Sequence, residues 1–243
     1  MSDMRIVFAG AKGRMGQALL PGLRATEGIE VVAEIDHGDD LATAVADGDA
    51  DVVVDFTTPE AAVPNARAIV AAGVQGVIGT TGFSLEDLDA LDLEARNAGR
   101  GLLIAPNFSL GMILLQRFSE EAARWFPRVE IIETHHEGKL DAPSGTAMRT
   151  AERLAAAGAA AGPASEDVAR GEDVEGVRVH SRRLPGIQAM QEVVFAAEAE
   201  TLTLEHHALS RDCYLAGVVA GVRAIPGRVG VLRGLEAVLF EEA

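Results

Sequence analysis

Short apolar runs alternate with helical patterns through the first part of the chain. Arg5-Ile6-Val7-Phe8-Ala9 is apolar, partly β-branched and stops at Gly10. A run without polar alternation reads as a strand buried on both faces. Leu19, Leu20 and Leu23 then recur at helical spacing. Residues 30–35 form a second run that ends at Asp36, and residues 51–56 give a third. Thr58-Pro59-Glu60 opens a helix, with proline where its missing N–H costs least. Residues 76–79 and 101–105 supply two more strands around a helix near 84–98. Strands alternating with helices predict a parallel, doubly wound sheet.

The pattern then changes. Met112, Leu115, Phe118 and Ala122 share one face of a predicted helix that ends near Trp125-Phe126-Pro127. Residues 128–136 read as a strand that delivers His135 and His136 to its end. A helix runs from Ser144 through Met148, Ala151 and Leu154 to Gly158. Residues 159–176 have little periodicity and predict a surface loop. Three strands follow at 177–183, 190–197 and 200–207, the last with strict alternation, as in a half-solvated sheet. Strands grouped without helices predict a separate α+β domain. From Tyr214 an apolar helix returns to the first domain. The division read from the chain is residues 1–106 with 215–243, and residues 107–214.

Two segments carry candidate chemistry. Gly10-Ala11-Lys12-Gly13-Arg14-Met15-Gly16 lies where the first strand passes into the first helix. Glycines there permit a tight turn and let the backbone approach a pyrophosphate at the helix N-terminus. The spacing is G-x-x-G-x-x-G, so a purely structural turn is the alternative. Asp36, about twenty residues after Gly16, stands where a carboxylate would bind an adenosine ribose; its alternative is a solvated loop acid. Asp36 favours NADH, while Lys12 and Arg14 keep NADPH open. Gly79-Thr80-Thr81 and Ala105-Pro106-Asn107-Phe108 lie at later strand ends, where ligands of open α/β sheets collect.

The second segment is Glu133-Thr-His-His-Glu-Gly-Lys-Leu-Asp-Ala-Pro-Ser-Gly-Thr146. It sets two imidazoles and Lys139 before the opening of a helix at Ser144. Histidine begins with a pKa close to neutrality, which suits a general acid. The first-turn N–H groups of a helix suit an anion, such as a substrate carboxylate. His206 and His207 are adjacent on a strand and point to opposite faces, so they cannot readily chelate one metal. There is no His-Glu-x-x-His or Cys-x-x-Cys pattern, and no metal is predicted.

Composition narrows the partners. The 243 residues are 48% hydrophobic, 24% charged and only 4% aromatic, so the core rests on Ala, Val, Leu and Ile. A net charge of −16 argues against nucleic acid, whose phosphates need clustered cations. Cys213 is the single cysteine, which excludes an intrachain disulfide and predicts a reducing compartment. Its apolar surroundings read as packing. No segment reads as a secretion signal or membrane span, so the prediction is a cytoplasmic protein without membrane partners.

The histidine–lysine block, the opening at residues 9–16, Gly79–Phe83 and Ala105–Phe108 occur in an order that resembles the dihydrodipicolinate reductase family over essentially the whole chain. That resemblance implies a Rossmann-like domain with a smaller α+β substrate-binding and oligomerisation domain. It implies NADH and/or NADPH as cofactor, a small dicarboxylate substrate and a homotetramer built through the substrate domain. His135 would be the acid/base residue and Lys139 the proton donor, with His136, Gly145 and Thr146 binding substrate. Gly10, Ala11, Lys12, Gly13, Arg14, Met15, Asp36, Gly79, Thr80, Thr81, Ala105, Pro106, Asn107 and Phe108 would line the cofactor. His37 stands where members preferring NADPH carry arginine. An amino-acid dehydrogenase on the same scaffold, or a nucleotide sensor, would share the glycine turn but would not need the histidine–lysine block.

Overall fold

The first apolar run forms β1 (Met4–Ala9), in which Ile6, Val7 and Phe8 are wholly buried. In a computed structural model, which describes residues 3–159 and 168–240, the chain divides into two units. One is Met1–Leu110 with Arg211–Ala243, the other Gly111–Ser210.

In the first unit β1 lies between β2 (Ile29–Ile35) and β3 (Val52–Asp55). The sheet continues through β4 (Gln75–Ile78) and β5 (Gly101–Ile104) to β11 (Gly230–Arg233), and every pairing is parallel. The strand order is therefore β11-β5-β4-β3-β1-β2. The chain moves to one side of β1 for β2 and to the other for β3. A crevice opens at the carboxyl ends of strands where the order reverses in this way, so β1 and β3 deliver their loops to a ligand site. Their runs Ile6–Ala9 and Val52–Val54 are apolar because helices cover the sheet: α1 (Arg14–Arg24), α3 (Pro59–Ala71), α4 (Leu85–Ala98) and α7 (Leu215–Ala224).

Two elements of this unit go beyond the sequence pattern. Helix α2 (Leu41–Gly48) follows the polar turn after Asp36. Asp40 caps it by accepting from the Thr43 N–H at 2.7 Å, and Leu41 and Val45 are buried. Strand β11 is only four residues long and gains its order from parallel pairing with β5.

The second unit holds a mixed sheet. Its central strand is β6 (Arg128–His135), antiparallel to β9 (Ala189–Ala196) and parallel to β8 (Val177–Arg183). The parallel pair requires a crossover, and α6 (Gly145–Ala156) lies within it. Strand β10 (Thr201–Ala208) forms one edge, and its residues are mostly exposed. Met112, Leu115, Ala147 and Leu154 pack with Val129, Ile131, Val193 and Phe195 to form the core.

Two expectations need correction. Phe118 is not on the buried face of α5 (Leu110–Ala123), being 55% exposed. Gln116 and Ser119 are buried there instead; Gln116 is satisfied by donating to Thr150 Oγ at 2.9 Å. The predicted loop at 159–176 is also too broad. Residues 160–167 lie outside the described part, but Val168–Arg170 forms a 3₁₀ turn and β7 (Glu172–Val174) pairs antiparallel with β8. The acidic sequence of β7 has low strand propensity; ladder bonds and an Arg178–Asp173 ion pair at 3.4 Å override it.

Candidate active site

Alternation along β6 places Val129 and Ile131 in the core, and the same face continues to Glu133 and His135. Glu133 is a carboxylate with no exposed surface. A buried charge is tolerated only when its acceptor sites are filled, and here they are. Its Oε2 lies 2.6 Å from His135 Nδ1. Arg183, at the end of β8, donates to both carboxylate oxygens at 3.0 Å in a bidentate pair. The Ser144 N–H donates to Oε1 at 3.2 Å. Burial pushes the Glu133 pKa up, but hydrogen bonds from His135, Arg183 and Ser181 outweigh it and bring the group to about 2. Glu133 is therefore an anion at any physiological pH.

Arg183 extends the cluster to the turn after β6. Its Nε donates to the Lys139 carbonyl at 3.2 Å, and a terminal nitrogen donates to the Asp141 carbonyl at 2.6 Å. The Lys139 N–H donates to the His136 carbonyl at 3.1 Å, closing the turn. Lys139 Nζ donates to both oxygens of Asp141, at 2.7 and 2.8 Å. The Asp141 carboxyl lies below its usual range because of Lys139, with a smaller contribution from the Gly145 N–H.

Ser144 caps α6 by accepting from the Ala147 N–H at 3.2 Å. The Ser144 and Ala147 N–H groups at this helix start are thus engaged within the protein. Gly145 has open space beside it. A Cβ added there would meet no atom within 4 Å, so the fold itself does not require glycine. Thr146 is half-buried one residue further on.

In the first unit a cavity of about 280 Å³ lies at the carboxyl ends of β1, β2 and β3. Gly10, Gly13, Asp36, His37, Phe56, Thr57 and Asn65 are among its lining residues. Gly10 has φ +89°, and a Cβ there would strike the Phe56 carbonyl; one at Gly16 would strike the Ala11 and Gly10 carbonyls. Gly13 precedes α1 without any side-chain cap. The first-turn N–H groups thus open beside a cavity, as dinucleotide phosphates require, and the residues present fit a nicotinamide dinucleotide.

Asp36 holds the loop together as well as lining it. Its carboxylate accepts from the Lys12 N–H at 2.7 Å and the His37 N–H at 2.9 Å. These bonds, His37 first, depress its pKa. Lys12 and Arg14 are exposed, whereas Ala11 and Met15 are half-buried.

The later turns are anchored by Asp55 at the end of β3. Wholly buried, it accepts from Thr57 Oγ and Thr80 Oγ at 2.7 Å each, and from Asn65 Nδ2 at 2.7 Å. The Thr80 hydroxyl is therefore committed, while Thr81 is exposed. Gly79 packs so closely on the Phe56 ring that no Cβ fits. Phe108 is buried, 5.5 Å between centroids from Phe56, and Ala105 is buried too. Pro106 is exposed, and the Asn107 side chain accepts from the Ser109 N–H at 2.9 Å.

Glu133, Arg183, Asp141, Asp55 and Asn65 escaped the reading of candidate residues. Glu133 carried a signal, since an acid in the apolar phase of a strand demands a partner. Arg183 lies fifty residues away and had none. Other charged groups form local pairs: His180 with Glu130 at 2.8 Å and His207 with Glu205 at 2.7 Å. Burial raises the Cys213 thiol pKa, in keeping with packing. Among the described residues, no helix is long and apolar enough to cross a membrane.

Comparison with known proteins accounts for both units. The model of the dihydrodipicolinate reductase N-terminus matches residues 4–108, and that of the C-terminus matches residues 111–239. The 4-hydroxy-tetrahydrodipicolinate reductase of Nocardia farcinica is 46% identical, covering 97% of this chain and 98% of the relative. The enzyme of that name from Moorella thermoacetica is 45% identical, covering 98% and 99%. Among solved structures, a dipicolinate-bound dihydrodipicolinate reductase from Paenisporosarcina sp. TG-14 superposes with a TM-score of 0.90 and 33% identity, covering 98% of this chain and 100% of that one.

The buried Glu133 gives the second unit a defined acid response. Its folded-state pKa, about 2, is depressed from an ordinary value of 4.5. The resulting stability is fully present above pH 4.5 and is lost as pH falls toward 2. The shift corresponds to roughly 3 kcal/mol. Urea unfolding across that interval will show Glu133→Gln losing less stability on acidification than the parent, although it starts from a lower value.

Proposed function

This chain belongs to the dihydrodipicolinate reductase family, and from that premise we propose how its residues achieve the NAD(P)H-dependent reduction of 4-hydroxy-tetrahydrodipicolinate in lysine and diaminopimelate biosynthesis. When bound, the reduced nicotinamide supplies a hydride to the substrate ring. Gly10, Ala11, Lys12, Gly13, Arg14 and Met15 hold the pyrophosphate at the uncapped start of α1, and Asp36 receives the adenosine ribose. Gly79, Thr80, Thr81, Ala105, Pro106, Asn107 and Phe108 border the nicotinamide. Thr80 and Phe108 act there through their backbone, since their side chains are committed to Asp55 and the core. A carboxylate at Asp36 and an imidazole at His37 make NADH at least as good a donor as NADPH, because neither is a strong clamp for a 2′-phosphate.

The substrate is a small dicarboxylate, in line with the dipicolinate bound by the related structure. Its carboxylates are received by Lys139, His136 and the start of α6 at Gly145 and Thr146. Lys139 exchanges Asp141 for a substrate carboxylate, so one charge-assisted pair replaces another. Loss of the 4-hydroxyl as water makes the ring a conjugated cyclic imine, and hydride addition to it leaves an enamine carbon that needs a proton. The Lys139 ammonium donates it, and His135 serves as the acid/base partner. The assembly of His135, Glu133, Arg183 and the Lys139 turn in one hydrogen-bonded cluster is the observation that carries this assignment.

Strand β10 leaves its outer edge unpaired in the described residues, a position that proteins usually cover. We infer a homotetramer assembled through the second unit, residing in the cytoplasm, where a lone thiol stays reduced. Light scattering on the purified protein should give four times the chain mass.

Cofactor oxidation is the direct test. With fresh 4-hydroxy-tetrahydrodipicolinate, reduced-nicotinamide absorbance will fall with either cofactor, at least as efficiently with NADH. Lys139→Ala and His135→Gln will each lower kcat by about 100-fold or more. Unchanged kcat in both would remove these residues from the chemistry.

Gly145 provides a separate check. Gly145→Ala will leave stability equal or raised by roughly 0.5–1 kcal/mol, since alanine favours a helix and open space surrounds the site. The same methyl will raise KM for the dicarboxylate. Thermal denaturation and steady-state kinetics on one preparation separate the two effects.

A further inference from the structure

An imidazole can use either nitrogen, and which one reacts is set by what the other is bonded to. His135 Nδ1 lies 2.6 Å from a Glu133 oxygen. An ionised carboxylate can only accept, so the short contact requires a proton on Nδ1. We propose that Glu133 is a positioning residue that locks His135 as the Nδ1–H tautomer, making Nε2 its sole reacting nitrogen. This deepens the reading above, in which His135 takes part in proton transfer, and it rests on that reading.

The consequence divides the labour between the two candidate proton carriers. A neutral Nδ1–H ring has only a lone pair on Nε2, so it accepts a proton or a hydrogen bond there and cannot donate. Lys139, whose ammonium has no acceptor capacity, is the complementary donor. The lock acts on both groups because one cation joins them. Arg183 holds Glu133 through both carboxylate oxygens and holds the Lys139 turn through the carbonyls of Lys139 and Asp141. Its planar fork of donors fits this task; the point charge of lysine does not.

The charged groups around the ring are consistent with this division. Glu133 adjoins it on its own strand and Arg183 backs Glu133 from β8. The Ser144 N–H from the start of α6 contributes to the same carboxylate. No rotation of the Glu133 side chain is free to release Nδ1 without stripping Arg183 and Ser144 as well. The tautomer is therefore built into the packing of β6, β8 and α6.

Nitrogen NMR of the whole protein with ¹⁵N-labelled histidine tests the lock, using His135→Gln to assign the resonance. In the parent, the neutral ring should carry its proton on Nδ1 and not on Nε2. A neutral ring carrying its proton on Nε2 would overturn the proposal. Glu133→Gln presents an amide that can donate to Nδ1, so the ring should turn to the Nε2–H form. Its kcat should fall at least about 100-fold, as when a histidine is held in the wrong tautomer, with KM changed by less than about two-fold. Full kcat in Glu133→Gln would equally sink the idea. Should that variant fail to fold, the parent spectrum still decides, and Arg183→Lys gives the second arm: unchanged tautomer but lowered kcat through the loosened Lys139 turn. Normal turnover in His135→Gln would refute the role of His135 while leaving the tautomer measurement intact.

Discussion

The second unit is organised around one electrostatic constraint, the charge of Glu133. A carboxylate without exposed surface costs several kcal/mol in lost hydration unless hydrogen bonds and opposite charge replace the water. The replacements come from separate parts of the chain: His135 on the same strand, Arg183 on β8 and the Ser144 N–H before α6. Satisfying one anion therefore fixes a strand end, a parallel neighbour and a helix start against one another. Removing any partner would leave the remaining charges buried and underpaired, so the cluster is cooperative by construction. Its stabilising value is secondary to its precision. Well-packed apolar residues could stabilise the same volume, but they could not select an imidazole tautomer.

The first unit solves a related problem in another way. Asp55 is also wholly buried, but its partners are hydroxyls, an amide and a backbone N–H instead of a guanidinium. It binds the turn after β3 to the turn after β4, giving the carboxyl edge of the sheet a fixed shape. Helix starts are treated unequally. Asp40, Ser84 and Ser144 cap α2, α4 and α6 with their side chains, whereas Gly13 offers α1 none. With glycine at the cap, α1 forgoes only about a few tenths of a kcal/mol relative to a capping side chain. Gly10 and Gly16 bring the backbone carbonyls too close for any side chain, so the same turn that sacrifices a cap creates room at the N–H groups.

Local patterns carried most of the fold and part of the site. The runs around Val7, Val53 and Val77 identified parallel strands because burial on both faces removes polar alternation. Ser144 was legible because helix capping uses a small vocabulary of residues. The His135–Lys139 block was legible because both groups lie in one short segment. Long-range partners were not. Arg183 sits on a strand with ordinary alternation, and nothing local says that its guanidinium reaches Glu133. Strand β7 was lost for the same reason: Glu172 and Asp173 disfavour a strand until β8 supplies the ladder. The position of β6 at the centre of its sheet was equally hidden, since sequence order suggests neighbours and β6 pairs with strands that follow much later. Phe118 shows the limit of periodicity: several faces of α5 are apolar enough, and tertiary contacts chose the one containing Gln116 and Ser119.

The charge pattern of the whole chain gives the site its selectivity. A protein with a net charge of −16 repels a dianion at long range, so recognition has to come from close contacts. Lys139 and Arg183 are each held by a carboxylate, which limits the local excess of positive charge. The two pairs differ in the way that matters. Glu133 is buried and bidentate to Arg183, and displacing Arg183 would leave a wholly desolvated carboxylate without its counter-charge. The two cations are similarly covered, but Asp141 is 61% exposed, so water can receive it if another carboxylate arrives. The site thus has one ion pair that must stay and one that can open. The permanent pair defines where His135 and the Lys139 backbone lie, and under the proposed reaction the labile pair is the one that frees the Lys139 ammonium.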